Sequence, residues 1–345
     1  MAEVLIYGSY GYTGEHIART AVDRGWTPVL AGRTEAKVTE LADELGLRSR
    51  VFDVEDAADQ LRDVDVLLNC AGPFARTAEP LARACIETGT DYLDITGEIG
   101  VFERLHRMND AAAEAGVTLM PGVGFDVVPT DCLAAHLHDR LPEATSLALG
   151  FDAVGSFSPG TLKTAIEGLG EGGVVRREGR LKQVPAAWKS RNVDFGRGRK
   201  TATTVPWGDV ATAYYTTGIP TVEVYTPLPR AARLLLRADR VLGGLLERDA
   251  VQSVLKRLVD KRVEGPDDEE LEEGFVWVWG EATDGRDTVT SRLRTPHTYK
   301  LTVETALLTT ERVGDGDAPV GYQTPAGAFG PELILDVPGV QRLDD

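Results

Sequence analysis

Lysine, cysteine and methionine are all scarce in this chain. Lysine stands at eight of 345 positions, so arginine supplies most of the positive charge, and 54 Asp and Glu against 37 Lys and Arg leave a formal net charge of -17. A balance that acidic excludes nucleic acid and anionic membrane surfaces as expected partners. An acidic, lysine-poor surface also fits a halophilic protein kept soluble in high salt. The three cysteines, Cys70, Cys85 and Cys132, lie in apolar surroundings without metal-ligand spacing, and read as reduced core residues of a cytoplasmic protein. No metal site is expected from the histidines either: His136 and His138 are two apart on a predicted helix and face different directions, and His16, His106 and His297 are isolated. No apolar run approaches membrane-spanning length, and "MAEVLIYG" lacks a basic segment followed by a long apolar run. The H-E-x-x-H, G-x-S-x-G and P-loop signatures are missing. So is a Tyr-x-x-x-Lys pair, which removes the short-chain dehydrogenases.

What is present is rhythm. The runs "EVLIYG", "TPVLAG", "SRVFDV", "VDVLLNCAG", "DYLDITG" and "VTLMPG" punctuate the first 120 residues, separated by amphipathic stretches such as "EAKVTELADELG". Runs that are apolar throughout suit strands buried on both faces of a parallel sheet, and helices between them make βαβ crossovers. The expectation is an α/β, doubly wound (Rossmann) domain over residues 1–125. A second α+β domain with a mainly antiparallel sheet is expected over 126–317, for substrate binding and dimerisation. Its signals are a strand over 145–155, a helix over 160–169, a long helical stretch over 228–262, an acidic loop over 264–274 and a hairpin turning at Asp284-Gly285.

The chemistry concentrates at the first loop, "GSYGYTG". Gly8, Gly11 and Gly14 give G-x-x-G-x-x-G spacing between a predicted strand and a predicted helix, where glycines permit a sharp strand exit, backbone approach to a pyrophosphate and close helix packing. Amides at the start of the helix face the phosphates. Ser9, Tyr10, Tyr12 and Thr13 fill the loop, the two tyrosines as walls on the cofactor's solvent side. NAD enzymes usually place a carboxylate about 20 residues further on. Arg33 stands there instead, nineteen residues after Gly14, with Thr34 and Lys37 beside it. A guanidinium pairs bidentately with a 2′-phosphate, so the expected cofactor is NADP(H) rather than NAD(H). Asp53 either accepts from the adenine amino group or caps a helix. Ala71, Gly72 and Pro73 bring bare backbone to the cofactor, with Phe74 near the nicotinamide.

Ligands of such sheets lie beyond the carboxyl ends of the strands, where "DITGE" and "PGVGFD" also converge. Asp94, Glu98 and Asp126 are thereby candidates for acid–base work, Glu98 and Asp126 foremost. Helix capping is the competing explanation for Glu98, and for either Asp126 or Asp131. Trp188, Trp207, Tyr214, Tyr215 and Tyr225 offer the second domain an apolar wall, or simply its core.

Together "GSYGYTG", "AGR", "NCAGPF", "YLDITGE", "PGVGFDVVPTD", "GTLKTAIEGL" and "TPAGAFGPEL" resemble the saccharopine dehydrogenase-like oxidoreductases, in the branch that includes trans-acting enoyl reductases. The resemblance implies NADP binding at Gly8, Gly11, Gly14, Arg33 and the Ala71-Gly72-Pro73 turn. It also implies a C-terminal segment, 318–345, that returns to the Rossmann domain. The function expected is hydride transfer between NADP(H) and a small carbonyl, imine or enoyl substrate. A non-catalytic NADP(H)-binding sensor or structural protein is the alternative, and a homodimer is the expected assembly.

Overall fold

The computed structural model describes residues 2–153, 172–230, 232–234, 236, 253 and 274–345. The helices expected over 160–169 and 228–262 and the acidic loop at 264–274 lie almost entirely outside these residues. Two compact units divide the chain, one of Met1–Cys132 with Leu301–Val337 and one of Leu133–Lys300 with Pro338–Asp345.

The first unit begins β1 (Val4–Tyr7), α1 (Tyr12–Asp23), β2 (Val29–Gly32), α2 (Glu35–Leu45), β3 (Ser49–Val51), the single-turn α3 (Ala57–Gln60), β4 (Val66–Asn69), α4 (Phe74–Thr88), β5 (Asp91–Asp94), α5 (Ile99–His106), α6 (Asn109–Ala115) and β6 (Thr118–Pro121). Helix α7 (Val128–Arg140) leads into the second unit. There follow β7 (Ser146–Asp152), β8 (Gly173–Arg177), β9 (Arg180–Val184), β10 (Ser190–Asp194), β11 (Arg199–Thr204), α8 (Asp209–Thr217), β12 (Thr221–Pro227), β13 (Phe275–Thr283) and β14 (Thr288–Pro296). The chain then returns through α9 (Thr298–Gly314), β15 (Gly321–Tyr322) and α10 (Pro325–Phe329), and ends in β16 (Gln341–Asp344).

All six expected strands form and, joined by β15 as a seventh, pair in parallel in the order β15-β6-β5-β4-β1-β2-β3. Their apolar character follows from position: every residue of β2, β4 and β6 is buried, because helices cover both faces. In α1 the buried residues are Gly14, Ile17, Ala18 and Ala21, the spacing of one helix face. Val303, Ala306 and Leu307 of α9 join the core under Ile6, Leu30 and Leu68. The strand order reverses between β1 and β4, which opens a crevice beyond their carboxyl ends.

The second sheet runs β10-β11-β12-β7-β13-β14-β16, with β8 bridging β12 and β9. It is mostly antiparallel; β12 and β7 pair in parallel. Leu147, Leu149, Phe151, Val276, Val278 and Ala282 point to one face. Leu133 and Leu137 of α7 pack there on Gly280, where a Cβ would stand 2.5 Å from Leu137 Cδ1. The hairpin turns at Asp284-Gly285 as expected. Strand β16 closes the edge of this second sheet by pairing with β14, so the returning segment splits: 321–329 serves the first unit and 341–344 the second.

Candidate cofactor site

Gly8, at φ 80, turns the chain sharply out of β1, and its amide donates to Ala31 O at 2.8 Å. A Cβ on Gly8 would come within 2.8 Å of the Ala71 backbone nitrogen, and one on Gly14 within 2.4 Å of Gly8 O. Only bare backbone lets the loop, the fourth strand's turn and α1 approach this closely. Gly11 is the N-cap of α1, extended at φ -77 and ψ 157, and no side chain caps the helix there. The first-turn amides and the positive end of α1 thus face the mouth of the loop, a cradle that fits a pyrophosphate. Ser9 is fully buried and turned inward, its hydroxyl donating to Ala31 O at 3.3 Å. Thr13 is half-buried in the first turn. Tyr12 is exposed and lies edge-on to His16 at 4.7 Å.

The second turn is assembled around Tyr10. Its ring crosses Gly32, where a Cβ would stand 2.6 Å from Tyr10 Cε1, and its hydroxyl donates to Thr34 Oγ1 at 3.1 Å. Lys37 Nζ stands 5.6 Å from the ring centroid. Thr34 occupies the N-cap position of α2, yet its side chain meets Tyr10 and not the helix amides. Arg33 is exposed beside this group. Asp53 caps the following 3₁₀ turn, its carboxylate accepting from Val54 N at 2.8 Å. Burial, with the Asp53 charge next, pushes the Tyr7 hydroxyl up to about 12, while Arg33 acts in the opposite sense. The contacts of Tyr10 with Thr34 and Lys37 are tertiary and carry no signal in the sequence spacing.

The third turn leaves β4. Ala71 is half-buried and Gly72 and Pro73 are exposed, joined by a cis peptide, and Phe74 opens α4. Glu98 Oε1 and Oε2 accept from Phe74 N and Ala75 N, each at 3.0 Å. Glu98 is also the N-cap residue of α5, but its carboxylate caps the neighbouring helix α4. Asp131 Oδ2 accepts from Ala326 N at 2.9 Å, which ties α10 to the start of α7.

Asp126 is half-buried, and desolvation pushes its carboxyl up to about 6. It lies against the "DITGE" turn: a Cβ on Gly97 would stand 2.6 Å from Asp126 Oδ2. Thr302 of α9 accepts from Phe125 N at 3.1 Å and steadies this loop. Asp94 is fully buried, and its carboxyl is likewise raised to about 6, chiefly by desolvation. Its partners include Tyr92, on a network that also holds Asn69 and Thr77. Sequence reading passed over Asn69, Tyr92 and Thr77. The available signal was the polar residue ending an otherwise apolar strand, in "VLLN" and "DYLD".

The aromatic residues of the second unit do not make one continuous wall. Tyr225 is buried with Phe195 and Trp279 in a small core, and Trp207 lies 4.5 Å from Phe151. Trp188 is flanked by the Arg177 and Lys189 cations, and Tyr214 lies under Arg176. Among the described residues no cluster of His, Cys, Asp and Glu could hold a metal ion. No helix among them is long and apolar enough to cross a membrane.

A parallel sheet with this strand order and a glycine cradle at its first turn define a dinucleotide-binding protein of the Rossmann class. Residues 4–120 match the family model described as the saccharopine dehydrogenase NADP binding domain, which supports NADP(H) as the cofactor of this unit. Over 215 residues the chain is 30% identical to a saccharopine dehydrogenase-like oxidoreductase of Rattus norvegicus, which covers 53% of this chain and 50% of the relative. Over 155 residues it is 32% identical to a trans-acting enoyl reductase of Mycobacterium ulcerans, covering 41% of this chain and 36% of the relative. The chain spans about half the length of the saccharopine dehydrogenase-like relatives it matches. The apo, histidine-tagged saccharopine dehydrogenase (L-Glu forming) of Saccharomyces cerevisiae matches over 100% of both chains, with a TM-score of 0.69 at 17% identity. That likeness establishes the fold, including the mixed second sheet.

Proposed function

We propose that this protein is an NADP(H)-dependent oxidoreductase that reduces the C=O, C=N or activated C=C bond of a small molecule. The observation that carries the reading is the cradle of Gly8, Gly11 and Gly14 together with Arg33, Thr34, Lys37 and Tyr10 at the second turn. In this reading the loop amides, those of Ser9 and Thr13 included, receive the pyrophosphate, and Arg33 and Lys37 receive the 2′-phosphate. Tyr10, Thr34 and Asp53 line the adenosine end, Tyr12 its solvent side, and Ala71, Gly72, Pro73 and Phe74 the nicotinamide side. NADPH, when bound, supplies a hydride to the electrophilic carbon. The chain must then supply position, exclusion of water and one proton. Asp126 is the proposed proton donor, because desolvation raises its carboxyl to about 6 beside the crevice, which keeps a fraction of it protonated near neutral pH where an ordinary carboxyl is fully ionised. Glu98 is proposed as a positioning residue, since both its oxygens are engaged by backbone amides.

That engagement also favours the alternative, an NADP(H)-binding sensor or structural protein. Oxidation of NADPH, followed by its absorbance against a panel of ketones, imines and enoyl thioesters, separates the two: turnover supports the enzyme, and tight binding without turnover supports the sensor. Arg33→Asp is expected to weaken NADPH binding at least about tenfold, as loss of a charge-assisted phosphate pair predicts, with a smaller effect on NADH. Equal losses would remove Arg33 from the 2′-phosphate. Cytoplasmic location belongs to the same proposal, supported by buried free thiols at Cys85 and Cys132, and cell fractionation tests it. So does a homodimer without nucleic-acid partners, supported on the latter point by the net charge of -17; light scattering coupled to gel filtration tests the dimer.

A further inference from the structure

Four polar side chains link the carboxyl ends of β4, β5 and β6. Asn69, Tyr92 and Asp94 are fully buried, and Thr77, in the first turns of α4, is half-buried. Asn69 and Asp94 end adjacent strands and face each other in register. Asp94 Oδ1 accepts from Thr96 N and Gly122 N, each at 3.0 Å, and Oδ2 accepts from the Tyr92 hydroxyl at 2.7 Å. Asn69 Nδ2 donates to Tyr92 Oη at 3.1 Å and to Thr77 Oγ1 at 3.2 Å, while Asn69 Oδ1 accepts from Ala71 N at 2.9 Å. Thr77 Oγ1 donates to Ala71 O at 2.7 Å.

The directions in this chain are forced. An ionised carboxylate only accepts, so the single tyrosine proton goes to Asp94 and the tyrosine oxygen must accept from Asn69. That fixes which way the Asn69 amide points, and its oxygen is left for Ala71 N. The threonine proton goes to Ala71 O. Both backbone groups of Ala71 are thus held by a chain of bonds that begins at Asp94. Ala71 is also the residue whose backbone lies where a side chain on Gly8 would be. Its placement therefore sets the spacing between the phosphate loop and the Ala71-Gly72-Pro73 turn. A buried carboxylate raised to about 6 is a costly way to fill a strand end that an apolar residue would fill at less expense. A rigid, fully satisfied polar network is what such a group can provide in return.

We propose that Asp94, Tyr92, Asn69 and Thr77 are positioning residues that hold the Ala71-Gly72-Pro73 turn in place for the nicotinamide half of NADPH. The proposal rests on the NADP(H) reading above and adds residues that touch no ligand. The test titrates the wild type, Tyr92→Phe and Thr77→Val with NADPH and with adenosine 2′,5′-bisphosphate, which carries the adenosine and 2′-phosphate but no nicotinamide. Both substitutions are near-isosteric, and Thr77 is half-buried, so Thr77→Val keeps the fold even if Tyr92→Phe does not. Each variant is expected to bind NADPH about 5- to 20-fold more weakly, the effect of one hydrogen bond, and to bind the bisphosphate within about twofold of wild type. A purely structural network would weaken both ligands alike or neither, and either result overturns the positioning role while leaving the NADP(H) reading intact. Wild type binding neither ligand overturns both.

Discussion

Desolvation raises the carboxyls of both Asp126 and Asp94 to about 6, yet their surroundings give the shift different meanings. Asp94 is fully buried and its oxygens receive three donors, so its ionised form is built into the network. Asp126 is raised by desolvation and is half-buried. A carboxyl whose folded-state value lies above its ordinary 3.8 binds its proton more tightly in the folded protein. Its stabilising contribution is complete below about pH 4 and is lost as pH rises through about 6. Asp126→Asn removes that loss, so the variant is expected to be more stable than wild type at pH 7.5, by up to about 3 kcal/mol, with the difference vanishing near pH 4. The same variant is expected to lose NADPH-dependent turnover at least about 100-fold while retaining NADPH binding. Thermal melts across pH and a single-turnover assay check the two halves. A variant that is no more stable at pH 7.5 would mean that Asp126 carries no desolvation cost.

At the scale of elements, the glycine loop shows how closely packing specifies a residue. Gly14 sits in the first turn of α1 with ordinary helical neighbours, so alanine there would raise intrinsic helix propensity. The 2.4 Å separation between a Cβ at Gly14 and Gly8 O reverses that preference. Gly14→Ala must push α1 away from the loop, and overpacking of this kind costs about 1–3 kcal/mol. The expected outcome is a lower melting temperature together with loss of NADPH binding, read by denaturation and fluorescence titration. A variant that bound NADPH like wild type would place the pyrophosphate elsewhere. The strands β15 and β16 belong to the same scale. Two residues, Gly321 and Tyr322, carry no periodic signal, and β15 exists because the exposed edge of β6 accepts it. Likewise β16 is drawn to the edge of β14, where His136 and Arg140 hold Asp344 and Arg292 holds Asp345.

For the whole molecule, the net charge of -17 governs how the fold responds to salt. Arginines are engaged in surface ion pairs such as Arg19 with Glu15 and Glu44, and Arg24 with Glu304. Exposed pairs contribute little, so screening them costs little. The excess of carboxylates repels at longer range, and that repulsion is screened as the Debye length falls from about 10 Å at 0.1 M to about 3 Å at 1 M. The melting temperature is therefore expected to rise between 0.1 and 1 M KCl, and a fall measured by calorimetry would contradict the halophilic expectation. The sequence by itself determined six of the seven strands of the parallel sheet, the hairpin at Asp284-Gly285, the glycine loop and the choice of Arg33 over a carboxylate. These are local matters, written in apolar runs, turn residues and short spacings. Tertiary structure alone decided that Glu98 caps α4 instead of its own helix, that Tyr10 gathers Thr34 and Lys37, and that Asp94 reaches Ala71 through Tyr92 and Asn69. Such pairings depend on which strand ends lie side by side, and the strands that meet at the crevice are adjacent only after the chain has crossed over between them.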